Sequence, residues 1–255
     1  MRSTFKLAAT RLGRAHPPIR IATPLVPSRP LSTSRNLSSP LKQSTRSSTT
    51  CPSCSTPLSP SSLSPLCPSC SSLVPPPPSQ TSHYSLFSLP TNPPPYSIDL
   101  KTLKRDFLNL QQKVHPDRFG GQGEKEEWAA LWSSRVNDAW KTLSNDRERA
   151  EYLLSLHQVT IGESDPVTDP ELLMAIMETR EVLEEAETPQ QVEQIREQNS
   201  QSMKEAIVNL GKAFDETRPP DLETARNLVI QLKYFDNVET VCREWSPGKR
   251  VEIQH

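Results

Sequence analysis

No aspartate or glutamate occurs in this chain before Asp99, and 19 of its 26 prolines lie in the same stretch. Nine Lys or Arg give residues 1–98 a net charge of +9, so the overall −1 leaves −10 on the remainder. A segment so rich in Pro and Ser and so poor in bulky apolar residues buries too little surface to offset chain entropy. It is expected to be mostly disordered. The acidic remainder is long enough for two small helical units with their own cores.

Residues 1–50 have the pattern of a mitochondrial transit peptide. Met1, Phe5, Ala8 and Leu12 fall on one helical face and Arg2, Lys6 and Arg14 on another, followed by Ser-rich, acid-free sequence. The alternative is a basic disordered tail. Arg11 and Arg14 interrupt the only stretch that would serve as a secretory apolar core, and no run approaches transmembrane length. Arg29-Pro30-Leu31-Ser32-Thr33-Ser34 resembles a two-step mitochondrial processing site, which would start the mature chain near Ser39.

Residues 51–74 carry Cys51-Pro52-Ser53-Cys54 and Cys67-Pro68-Ser69-Cys70, two CPSC tetrapeptides separated by twelve residues. Two tight pairs of thiolates suit one tetrahedral Zn²⁺, each short turn placing two sulfurs on the ion. Only Leu58, Leu63, Leu66, Leu73 and Val74 are available as a core, so metal binding would supply the folding energy that burial lacks. Disulfides would need an oxidising compartment, which the transit peptide argues against. An iron–sulfur cluster is a chemically possible alternative. A nucleic-acid-binding ribbon is disfavoured because no Lys or Arg lies between Cys51 and Tyr96. Ser55 and Ser71 follow the pairs where knuckles often have Gly. Cys242 stands alone and reads as a small buried residue.

After a Pro-rich linker at 75–82, the chain turns helical. Leu103, Phe107, Leu110 and Val114 recur on one helical face behind Asp99 as N-cap. Pro116 ends that run and leaves His115-Pro116-Asp117 in a loop. A second helix is expected from Glu124 to Leu143, carrying Trp128, Leu131 or Trp132, Val136, Ala139 and Leu143, and the short connection allows an antiparallel pair. The tripeptide is not expected to be catalytic: the intervening proline hinders an imidazole–carboxylate hydrogen bond, and no nucleophile is paired nearby. The metal-dependent hydrolase alternative would need an open zinc position, which a complete Cys₄ set does not provide.

Beyond a linker at 162–168, residues 169–248 read as three helices. Asp169-Pro170 opens the first, with Leu172, Leu173, Ile176, Met177 and Leu183 as its apolar stripe to about Ala186. Thr188-Pro189-Gln190-Gln191 is a capping-box start for the second, which runs to about Asp215. The third begins after Asp221 and ends near Trp245. Short breaks between three helices imply an antiparallel bundle. The ordered protein is expected to be all-α apart from the metal module.

The motifs His83-Tyr84-Ser85-Leu86-Phe87, Tyr96-Ser97-Ile98-Asp99, Val114-His115-Pro116-Asp117-Arg118-Phe119, Asn137-x-Ala139-Trp140 and Arg149-Ala150-x-Tyr152-Leu153-Leu154 resemble the J-domain of HscB-type co-chaperones of iron–sulfur cluster assembly, over residues 83–161. The resemblance implies that His115, Pro116 and Asp117 dock on a mitochondrial DnaK-type (HSP70-family) chaperone and stimulate its ATPase. Lys101, Lys104, Arg105, Lys113 and Arg118 would meet an acidic partner surface. The C-terminal helices resemble the HscB scaffold-binding domain. That implies an IscU-type scaffold contact through Leu173, Met174, Met177, Glu178, Glu181, Glu185 and Tyr234, an apolar patch edged by carboxylates. Periodicity alone would instead make Leu173 and Met177 core. The expected protein is a non-enzymatic adaptor of the mitochondrial matrix that promotes cluster transfer. The competing reading is a general J-protein delivering unfolded clients, against which the absence of a long Gly/Phe-rich linker counts.

Overall fold

The computed structural model describes residues 50–59, 63–162 and 170–247. The transit-peptide reading of 1–50, apart from Thr50, most of the 162–168 linker and the Asp169 cap lie outside the described residues. Among the described residues the regular structure is entirely helical, with two isolated antiparallel bridges, Thr50 to Pro57 and Leu66 to Leu73, inside the cysteine module.

A short helix α1 (His83–Leu86) is followed by α2 (Leu100–Val114), a 3₁₀ turn (Pro116–Arg118), α3 (Glu124–Ser144) and α4 (Asp146–Leu156). Asp99 caps α2 as expected, its carboxylate accepting from the Lys101 amide. The α2 and α3 helices run antiparallel. Phe107 stacks on Trp140 with centroids 4.9 Å apart, and one turn later Gln111 donates to Ser133 O and to Asn137 Oδ1. Trp132, Val136, Ala139 and Leu143 are buried on α3 and Leu131 is exposed, which settles the alternative left by the pattern in favour of Trp132.

The C-terminal helices are α5 (Pro170–Glu184), α6 (Pro189–Gly211) and α7 (Leu222–Glu244). Thr188 and Gln191 form the reciprocal capping box at α6, and Asp221 caps α7. Helices α6 and α7 are antiparallel: Arg196 pairs with Glu239, and Asn199 donates to Phe235 O at 3.0 Å. Helix α6 stops four residues before the expected Asp215, because Lys212–Glu216 widens into a π-helical turn.

Two expectations are corrected. The composition of residues 1–98 suggested disorder, yet Leu73, Val74, Tyr84, Leu86, Phe87 and Tyr96 are buried, all but Val74 in the same apolar cluster as α3 and α7. The 75–82 stretch is not a free linker either, since Pro75, Pro76 and Pro77 are buried. Few large apolar residues suffice here because each one reaches a core built mostly by the helices that follow.

Candidate functional site

Three surfaces carry chemistry. The first is the cysteine module, built from two copies of one turn. Cys51 N donates to Thr56 O and Ser55 N to Cys51 O, and the pattern repeats at Cys67 N to Ser72 O and Ser71 N to Cys67 O, all at 2.8–2.9 Å. Ser55 and Ser71, at φ of 59° and 56°, take the left-handed geometry that glycine would adopt without strain. Cys51 and Cys67 are buried while Cys54 and Cys70 are exposed.

All four Sγ atoms lie within 4.8 Å of one another, with Cys51–Cys70 and Cys54–Cys67 at 3.7 Å. A tetrahedral ion with sulfur ligands at ~2.3 Å sets those sulfurs about 3.8 Å apart, so the set fits a single metal ion. A multi-iron cluster divides its thiolates among different irons and spreads them further. The Thr56 hydroxyl and then its backbone N–H pull the Cys54 thiol down to about 6. At Cys70 the Ser72 backbone N–H favours the thiolate, but the crowding sulfurs, Cys54 first, push the group up to about 12. Four thiolates at this spacing would repel one another, and a cation among them would favour the charged forms.

The second surface is the corner between α2 and α3. His115 and Asp117 are exposed and Pro116 is half-buried. The imidazole Nδ1 of His115 accepts from the Asp117 amide at 3.3 Å and lies 3.5 Å from Asp117 Oδ2. The proline thus brings imidazole and carboxylate closer than the sequence suggested. The backbone N–H occupies the Nδ1 lone pair, so the imidazole is no base oriented by Asp117. Arg118, a docking cation by the family resemblance, donates to Gln112 O at 2.7 Å and closes the end of α2. Lys101, Lys104, Arg105 and Lys113 are exposed along α2.

The third surface is α5. Leu172, Ile176 and Leu183 face the bundle, while Leu173, Met174 and Met177 are 43%, 72% and 71% exposed. Glu178, Glu181 and Glu185 are exposed beside them. Periodicity gave Leu173 and Met177 equal claim to the core, and the structure places them in solvent. Tyr234 is different. It is 7% exposed on α7, so it does not share that exposed surface. Its hydroxyl is buried without a hydrogen bond of its own, beside the Thr179 hydroxyl, which donates to Ala175 O at 2.7 Å. The i, i+4 pattern of α7 could have signalled this, because Tyr234 falls in register with Ile230 and Val238, both buried.

An antiparallel helical hairpin that exposes His-Pro-Asp at its turn, joined to a separate helical bundle, defines a J-protein co-chaperone. The C-terminal part, residues 168–242, matches the family described as the HSCB C-terminal oligomerisation domain. The chain is 33% identical over 150 residues to the iron–sulfur cluster co-chaperone protein HscB homolog of Arabidopsis thaliana, an alignment covering 58% of this chain and 57% of that protein. It is 27% identical over 183 residues to the mitochondrial J-type co-chaperone JAC1 of Saccharomyces cerevisiae, covering 69% of this chain and 94% of the relative. The crystal structure of human co-chaperone protein HscB superposes with a TM-score of 0.67 at 30% identity, covering 76% of this chain and 96% of that one. The chain belongs to the HscB family of iron–sulfur cluster co-chaperones.

Proposed function

We propose that this chain is a mitochondrial matrix adaptor which carries an IscU-type scaffold on its C-terminal bundle to a DnaK-type ATPase chaperone and stimulates that chaperone's ATP hydrolysis. The observation that carries the reading is the presence, on one chain, of an exposed His115-Pro116-Asp117 corner and a separate exposed apolar patch at Leu173, Met174 and Met177. Lone exposed apolar side chains are ordinary. Three clustered within two turns of α5, edged by Glu178, Glu181 and Glu185, have the composition of a modest protein interface. Tyr234 supports that face from beneath.

The basic side chains of α2 raise the rate of encounter with an acidic chaperone surface, and salt slows that step. The four cysteines hold a structural Zn²⁺, which ties the knuckles together and performs no reaction. The acid-free basic leader and the mitochondrial relative in yeast support matrix localisation. The test is a steady-state ATPase assay with a purified mitochondrial DnaK-type chaperone, with and without scaffold. Stimulation that His115→Gln abolishes is the expected result, and no stimulation under either condition refutes the proposal.

A further inference from the structure

Tyr96 and Arg149 belong to motifs that the two docking surfaces do not use, yet both are almost wholly buried, at 2% and 3% exposure. They meet at the junction between the hairpin and the bundle. The Tyr96 amide donates to Asp215 Oδ1 at 2.8 Å and the Ser97 amide to Asp215 Oδ2 at 2.9 Å, so one carboxylate of the bundle holds two successive amides just before α2. Arg149 on α4 donates to Tyr96 O at 2.9 Å and to Leu143 O at 2.6 Å, and its guanidinium lies 4.7 Å from the Tyr96 ring centroid. From the bundle, Phe214 stacks on Tyr96 at 5.7 Å.

The π turn at the end of α6 is what places Phe214 and Asp215 here. Gly211, one turn earlier, lets Ser97 approach: a Cβ at that position would meet Ser97 Oγ at 3.3 Å. A second strut runs from Arg147 on α4 to Asp236 on α7 at 2.8 Å. The joint therefore has charge-assisted hydrogen bonds, a ring stack and a close backbone approach between the same two parts, which is more than passive packing of two domains requires.

We infer that Asp215 is a positioning residue. Its bidentate hold on Tyr96 and Ser97 fixes the His115 corner relative to the α5 patch, so that bound scaffold meets the chaperone in one orientation. This inference rests on the adaptor function proposed above. Asp215 touches neither docking surface. Its loss leaves stimulation by the corner alone, and binding of scaffold alone, essentially unchanged. The extra stimulation produced when scaffold and co-chaperone act together is what it controls, because that coupling depends on geometry.

The experiment compares the full chain with Asp215→Ala and Asp215→Asn, the latter keeping one amide acceptor. Hydrogen exchange at the Tyr96 and Ser97 amides reports the joint directly. The expected result is faster exchange at those two amides in Asp215→Ala. Chaperone stimulation without scaffold and scaffold affinity stay within about twofold, scaffold-dependent stimulation falls by about fivefold or more, and Asp215→Asn is intermediate. Unchanged scaffold-dependent stimulation despite faster exchange overturns the positioning role, as does a parallel loss of all three activities. If Asp215→Ala does not fold, Asp215→Asn decides between the same outcomes. Wild-type protein that fails to stimulate the chaperone at all overturns the adaptor function instead.

Discussion

The indole of Trp132 on α3 donates to the backbone carbonyl of Val74 at 2.9 Å, and both partners are buried. Val74 follows the second cysteine knuckle, and its own amide donates to Pro65 O. This bond joins the metal module to the J-domain hairpin, so the state of the module is felt in the hairpin core.

Metal removal is therefore expected to unfold the segment around 50–74 and to expose Trp132. The full chain should bind one equivalent of Zn²⁺, and chelation should lower its melting temperature and shift tryptophan emission to the red. Trp132→Phe keeps most of the ring but orphans the Val74 carbonyl, at a cost of about 1–3 kcal/mol, and it should blunt the emission change. Elemental analysis, calorimetry and fluorescence check these outcomes.

His115 is exposed, and its imidazole contacts Asp117. His115→Gln should change unfolding free energy by no more than about 0.5 kcal/mol while abolishing chaperone stimulation. Chemical denaturation beside the ATPase assay separates the two effects. A large loss of stability would return the imidazole to a structural role.

Leu173→Ala, Met174→Ala and Met177→Ala remove side chains already in water, and each should alter stability by about 0.5 kcal/mol or less while weakening scaffold binding. Tyr234 should behave in the opposite way. Its truncation to Ala costs about 3–5 kcal/mol by opening a cavity, whereas Tyr234→Phe removes a buried unpaired hydroxyl and should be neutral or stabilising. Melting curves and titration calorimetry on the four sites divide binding surface from core.

Arg196 holds the Glu239 carboxyl below its ordinary value of 4.5, first by hydrogen bonding and then by charge. A depressed folded value means the pair stabilises the bundle fully above about pH 4.5 and loses that contribution as pH falls through the lower folded value. Glu239→Gln should be less stable than wild type at neutral pH, with the difference shrinking below about pH 4.5. Urea unfolding of both proteins across that range tests the sign.

Sequence alone determined the local elements. Asp99, Thr188 and Asp221 signal helix starts because a capping side chain bonds to amides within its own turn. Pro116 ends α2 by local sterics, and the spacing of Cys51, Cys54, Cys67 and Cys70 states its chemistry without help from the fold. Tertiary structure decided which apolar residues are spent on the core. Leu173 and Met177 share a helix with Leu172 and Ile176 and are likewise apolar, so the position of α6 and α7 is what sends one pair outward and the other in. Tyr96 and Asp215 are 119 residues apart. No local pattern links them, because the bond exists only once the α6 π turn has packed against the irregular segment entering α2. The same holds for the buried prolines at 75–77, whose composition suggests a linker until Trp132 and the module meet there.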